Sequence, residues 1–395
     1  MDAYFFDWLN MLLRWLHLIA GAAWIGASFY FAHLDNALRP PESADDVNRG
    51  VHGDYWAVHG GGFYRSQKYL TGPRNEPLTQ HLHWSKWEAY TTWLSGMGLL
   101  AVIYWLGAET MLIDRTVMSM SASSAIGISI AFIAGGWLSY DFLCRLFVGR
   151  ETILAAVMFM LVALADWFLF HLFSARAAFM HVGAVMGTIM VANVFVHIIP
   201  GQKKMVAAIR AGLPVDPALG AIGKQRSVHN TYFTLPVLFI MIGSHFPMVF
   251  SHSHAWVALL GIMLAGVLVR QFFVLRIKGV IAIPLLVIAF VLLFSVGILL
   301  APKSVVATKA IGFAQVKSIL DQRCVKCHAV VPTFNGFAQA PKGVMLETSA
   351  QIAVHAAKVA ETTANRYMPI GNLTGMTDDE RGIIAAWFAQ GAKVE

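Results

Sequence analysis

Cys324-Val325-Lys326-Cys327-His328 is the stretch of this 395-residue chain whose spacing most narrowly restricts its chemistry. Two thiols two residues apart on a tight turn can add to the two vinyl groups of one haem, and the adjacent histidine then lies beneath the iron. Zinc would need a second cysteine pair, but the third cysteine, Cys144, stands alone in an apolar stretch. A thioredoxin-like redox pair would sit in a βαβ pattern, and none surrounds the motif. The expectation is covalent haem c on Cys324 and Cys327, with His328 as proximal iron ligand. An electron carrier also needs a sixth ligand, and Met345, Met368 and Met376 follow the motif. Met368, placed before Pro369 in a loop, is the expected one, and a Met–His pair raises the potential.

The elements that must hold this group are short. A helix is expected over about 311–323. Another starts at the capping box Thr377-Asp378-Asp379-Glu380 and runs to about Gln390. The Met-Pro loop and the helix beyond it resemble small bacterial class I cytochromes c. Residues 311–395 are therefore read as a small all-α domain of that kind, joined through a linker over 303–310.

Residues 1–302 have a different composition. The chain is 57% hydrophobic and 13% charged, about half the charge of an average soluble domain. Eight stretches approach the roughly 20 apolar residues that a bilayer-spanning helix needs: 8–32, 87–107, 125–147, 151–173, 178–199, 229–250, 254–275 and 280–300. The fold class expected is all-α, an eight-helix transmembrane bundle followed by the cytochrome domain. The net charge of +7 could point to nucleic acid, but the basic residues lie in short clusters between apolar runs. Odd-numbered connections carry them: Arg39, Arg49, Arg65, Lys68, Arg74 and Lys86 in the first, then Arg145 and Arg150, then Lys203 to Arg226, then Arg270, Arg276 and Lys278. Even-numbered connections are nearly bare. The positive-inside rule makes the odd loops cytoplasmic and puts both termini outside, the periplasmic side of a bacterial inner membrane, where haem c is attached. No nucleic-acid partner is expected, and no cleavable signal peptide is read at the start.

Thirteen of the fifteen histidines precede the cytochrome motif, and ionisable groups within a membrane are costly and usually functional. His17, His181 and His245 fall in the outer half, and His33, His83, His197 and His229 near the inner ends. His17/His33, His181/His197 and His229/His245 are spaced as in membrane cytochromes that stack two b haems, which makes one or two b haems a candidate cofactor. Sixteen residues turn an ideal helix through about 160° net, so kinks would be needed to align the pairs. Hydrogen bonding between helices is the plainer use.

The first cytoplasmic loop, about 33–86, is long enough to be functional. It holds His59-Gly60-Gly61-Gly62-Phe63-Tyr64-Arg65, then Lys68, then His81-Leu82-His83-Trp84-Ser85-Lys86-Trp87-Glu88. The glycines would allow backbone close to a ligand, the aromatics offer a stacking face, and Arg65, Lys68 and Lys86 offer charge for a planar anion. A flexible surface loop is the other reading. Arg226-Ser227-Val228-His229-Asn230-Thr231-Tyr232 forms a second polar cluster on the same side.

Together with Trp15-Leu16-His17, Trp24-Ile25-Gly26 and His197-Ile198-Ile199-Pro200-Gly201-Gln202-Lys203-Lys204-Met205, these stretches resemble the integral-membrane urate oxidases (urate hydroxylases) fused to a C-terminal cytochrome c. The resemblance implies oxidation of urate to 5-hydroxyisourate, with electrons passing to a soluble or membrane cytochrome c and a terminal oxidase. Urate from cytoplasmic purine breakdown would bind at the cytoplasmic face. Arg65, Lys68 and Arg226 would hold it, and His83 or His229 would take its proton. The opening of helix 1 also resembles membrane protoporphyrinogen oxidases, which implies His17 as a b-haem ligand. An outer urate site would largely remove the need for b haem. A dehydrogenase for quinol or another small reductant, and a non-catalytic electron relay, are the competing readings.

Overall fold

The structure, a computed structural model, describes residues 2–301, 310–334, 337 and 339–394. All of the expected linker except residue 310 lies outside the described residues. The first rod, α1, runs over Asp2–Ala37 and is followed by a short helix α2 (Ala44–Asn48). Then come strands β1 (Gly53–His59) and β2 (Gly62–Lys68) and the rods α3 (Trp87–Leu100), α4 (Ala122–Leu146) and α5 (Glu151–Leu172). The rod α6 (Ala175–Ala192) continues through a π-helical segment, Asn193–Ile198, into α7 (Ile199–Arg210). There follow α8 (Pro217–Gly243), α9 (Pro247–Phe250), α10 (Ala255–Ile277) and α11 (Ile283–Leu299).

Each of the eight apolar stretches coincides with one of these rods. Five rods are long and apolar enough to cross a membrane: Tyr4–Ala37, Ala122–Leu146, Glu151–Leu172, Ala175–Arg210 and Ala255–Ile277. Outward apolar side chains such as Leu18, Met160 and Phe290 remain exposed, the surface that a multi-pass membrane protein presents to lipid. The sixth stretch starts at Pro217, well before 229, because Asp216 accepts the Ala218 N–H (2.9 Å) and Pro217 fits the first helical turn. The central rod is α6, whose Phe179, His181, Met186 and Ile189 are buried among Leu112, Phe173, Ile240 and Leu259. Rods joined by short turns alternate direction, so the molecule has a basic end, carrying the 38–86 connection, Arg150 and Arg210, and an opposite end.

The chain is mostly helical, with one departure. β1 and β2 form an antiparallel hairpin with His59 opposite Gly62. Its two central residues, Gly60 and Gly61, have φ of +58° and +81°, as a tight two-residue hairpin turn requires. The glycine run thus closes a hairpin turn. No Cβ contact lies near either glycine, and Trp56, Phe63 and Tyr64 stand exposed.

The C-terminal part packs three helices, α12 (Phe313–Arg323), α13 (Ser349–Ala364) and α14 (Asp378–Ala389), around Val316, Leu320, Ile352, Val359, Ile384 and Trp387. Helices α12 and α14 stand where the sequence puts them, α14 with its Thr377–Glu380 capping box formed. The sequence reading omitted α13, which opens on an equivalent box, Thr348–Gln351. This part rests on the opposite end of the rods. Tyr367 packs edge-on against Phe250, ring centroids 6.1 Å apart. Gly371, with φ +54°, lies so close that a Cβ there would be 2.9 Å from the Ile113 carbonyl oxygen.

Arg323 ties α12 to α14 through Glu380, with Nη2 to Oε1 at 3.0 Å. Burial pushes the Glu380 carboxyl up, but the Thr377 backbone N–H and the Arg323 guanidinium outweigh it and hold it below the ordinary carboxylate value. A carboxyl lowered on folding adds stability above its unfolded pKa, and that stability is lost as pH falls through the folded one. Glu380→Gln is therefore expected to weaken hydrogen-exchange protection of α14 by roughly 1 kcal/mol at neutral pH. The gap to the parent should close below about pH 4; a pH-independent difference would refute this origin.

Candidate functional site

Two polar assemblies occupy the basic half, on either side of α8. The first is a buried charge cluster. Asp141 of α4 accepts from Arg226 Nη2 (2.7 Å), meets His197 Nε2 (2.6 Å) and pairs with Arg145 (2.6 Å). The Arg226 guanidinium also lies 4.9 Å from the Tyr140 ring centroid. The π segment between α6 and α7 supplies Asn193 and His197, and π turns recur where a side chain must be re-aimed for function.

Hydrogen positions in this cluster follow from its donors and acceptors. Asn230 Nδ2 donates to the Met190 carbonyl (2.9 Å), so its Oδ1 accepts from Asn193 Nδ2 (2.9 Å). Asn193 also donates to the Tyr140 hydroxyl oxygen (3.0 Å), which leaves the Tyr140 proton for His229 Nδ1 (2.8 Å). His229 Nε2 then faces Glu151 (3.2 Å), a carboxylate steadied by Gln225 (2.7 Å). The chain Tyr140–His229–Glu151 leads from a buried phenol to a half-exposed carboxylate.

The second assembly is a cleft of about 1040 Å³ between α1, the hairpin, α7, α8 and α10, open at the basic end. Arg270 is buried in its wall, its guanidinium 5.3 Å from the Phe29 ring centroid and its Nε without a partner. Beside it, Tyr232 donates to Gln271. Asn230 reaches this wall too, so one residue touches both assemblies. A fixed cation, flat aromatic faces and amide and hydroxyl groups can bind a planar anion.

The residues named from sequence divide between these places. Arg226 and His229 enter the charge cluster. Lys68 and His83 line the cleft. Lys68 is paired with Asp35, and burial followed by the charge of Lys224 lowers its pKa. His83 stands at the mouth, its side chain 81% exposed and 4.0 Å from Glu88. Arg65 joins neither, being held in the hairpin by Asp54 (Nε 2.8 Å) and Asp46. Those two carboxylates raise its pKa and occupy its donors. Sequence reading missed Arg270, Asp141, Tyr140 and Asn193. For the last three, the signal was a lone polar residue inside an apolar run.

The histidines named as b-haem ligands differ in what their nitrogens do. His181 does not fit that role: Nδ1 donates to the Ala177 carbonyl (2.7 Å) and Nε2 meets Ser129 (2.7 Å), so both are engaged. His197 Nε2 is on Asp141, and His33 Nε2 is on the Tyr55 hydroxyl (3.2 Å). His245 lies in the turn after α8. His17 is held through Nδ1 by the Thr92 carbonyl (2.9 Å) and the Ser95 hydroxyl (3.1 Å), with its ring against Gly96.

His328 is oriented the same way, its Nδ1 2.9 Å from the Val344 carbonyl, which leaves Nε2 for a metal. Cys324 and Cys327 lie on the turn after α12, where Cys327 N–H and His328 N–H both reach the Cys324 carbonyl (3.0 and 2.9 Å). Burial pushes the Cys324 thiol up to about 12 and raises Cys327 as well. A redox dithiol needs a lowered pKa, so this pair is not poised as one. Arg381, buried, donates to the Thr363 and Met368 carbonyls (both 2.7 Å) and fixes the loop that carries Met368. Met376 is instead buried in the helical core.

Asp141→Asn would leave Arg226, Arg145 and His197 without their counter-charge. The expected cost is about 3 kcal/mol or more in thermal unfolding of the protein in lipid nanodiscs. Pairing it with Arg226→Met should restore over half of that loss; strictly additive losses would count against the network.

Comparison with known proteins gives one family. The family model for the urate oxidase N-terminal region matches residues 3–301. Neither the curated proteins nor the solved structures yield a match. With about three quarters of its length inside that match, and with all of the charge cluster and the cleft within it, the chain belongs to the urate oxidase N-terminal family.

Proposed function

We propose that the chain is a membrane oxidoreductase that takes two electrons from urate and passes them singly to a c-type haem and then to an external acceptor. Urate and one water give 5-hydroxyisourate, two electrons and two protons. The observation that carries this reading is Arg270, a buried cation over an aromatic ring with an unspent N–H on a cleft of ligand size. The family match supplies the substrate class.

In this reading the eight rods all span the bilayer, the basic end is cytoplasmic, and the C-terminal domain is periplasmic. Urate enters the cleft from the cytoplasm. Arg270 holds the anion, and Phe31 and Tyr232, which line the cleft, offer flat faces to its ring. Asn230, fixed by Asn193 and Met190, sets the polar wall opposite. His83 and Glu88 at the mouth take the released protons to water. Arg226 and Asp141 hold α8 and α4 in register behind that wall, and Tyr140–His229–Glu151 offers a further proton exit to the basic face.

Cys324, Cys327, His328 and Met368 would hold haem c, which supplies one-electron acceptance and release. The engaged Nδ1 of His328, the turn that brings Cys324 and Cys327 together and the Arg381-clamped loop support that fit. His17 shares the orientation of His328 and would be the protein ligand of a b haem midway along α1.

The test is an anaerobic optical spectrum of the purified protein before and after urate. Urate should bring up the reduced c-haem band. Arg270→Gln should lower kcat/KM by roughly 10- to 100-fold, the worth of a charged hydrogen bond of about 1.5–3 kcal/mol. Reduction by a quinol with no response to urate would replace this reading with that of a quinol dehydrogenase.

A further inference from the structure

A second cavity, about 490 Å³, lies at the other end of the rods, in the seam with the C-terminal domain. Its volume falls within the range of small-molecule sites. One wall belongs to the rods, with Arg176, Phe250 and Trp256, and the other to the Met368 loop, with Arg366 and Tyr367. The walls are flat and aromatic, and the charge around them is unbalanced.

Arg366 is answered by Asp378 (2.8 Å), and Arg381 is spent on backbone carbonyls. Arg176 Nε is buried with no partner. Three guanidiniums, Arg176, Arg366 and Arg381, line the cavity against two carboxylates, Asp378 and Asp114, and Asp114 is folded onto its own Thr116 N–H and hydroxyl (2.9 and 2.6 Å). Burying an unpaired guanidinium N–H is costly, so an anion is the complement this cavity lacks. A tetrahedral phosphate would satisfy the charge and leave the aromatic faces bare. A planar anion would satisfy both.

We infer that the seam cavity is a second binding site for a purine-type planar anion, held by Arg176 between Trp256 and Tyr367. The inference rests on the functional reading above for the class of anion, and it adds a site that reading does not use. Because both parts of the chain contribute walls, occupancy favours the seated arrangement of the C-terminal domain by simple linkage.

Equilibrium dialysis tests this, using the full chain in nanodiscs, reduced with dithionite under argon so that bound urate is not consumed. Radiolabelled urate should show two sites per chain. Arg176→Gln should weaken one of them at least 10-fold and leave the Arg270-dependent site intact. Trp256→Leu, on the same wall as Arg176, should weaken the same one. Inorganic phosphate at the same concentration should displace neither. A single site, lost in Arg270→Gln and untouched in Arg176→Gln, overturns the inference and spares the functional reading. Displacement of the second site by phosphate as readily as by urate overturns its planar specificity. No urate bound at all overturns both.

Discussion

Asp141 is a carboxylate placed where water cannot reach it freely, and two guanidiniums and an imidazole, from three different rods, answer it. Arg145 comes from its own helix α4, His197 from the π segment after α6, and Arg226 from α8. In an apolar solvent such a charge can exist only when paired, because its desolvation would otherwise dominate. That requirement fixes the spacing and rotation of α4, α6 and α8 together. The Asn193–Asn230–Tyr140 hydrogen bonds depend on that placement, and so does the cleft wall that Asn230 shares. The π segment is part of the same solution, since a regular α-helix would carry His197 elsewhere.

Much of the architecture was legible because lipid is a demanding solvent. A run of apolar residues about a bilayer long has few options other than a helix, and all eight runs became rods. The helix ends were less legible. Arg270 was counted among loop charges after the seventh run, yet α10 continues to Ile277 and carries Arg270 inside. A long side chain near the end of a span can be buried or can reach for the interface, and hydropathy does not distinguish these. Helix α13 escaped notice although Thr348 and Gln351 carry the same cap as Thr377 and Glu380.

The candidate site was half visible. Arg226 and His229 stood in one dense polar stretch, so they were found together. Tyr140 and Asp141 come from one apolar run and Asn193 from another, and only folding brings them within hydrogen-bonding distance of Arg226 and His229. The glycine run was legible only as a place of backbone freedom: glycine serves a hairpin turn as readily as a ligand loop, and the flanking strands make it a turn. Lys68 and His83 do reach the cleft, while Arg65 is held by its two aspartates on the hairpin.

At the seam, backbone lies against backbone, with a single hydrogen of Gly371 between the chain and the Ile113 carbonyl. A contact of that kind has no rotamers to rearrange and no flexible tip to give way. It cannot loosen by degrees in the way a surface of long side chains does. The seating of the C-terminal part on the rods is therefore set at a point where the chain has room for a hydrogen and nothing larger.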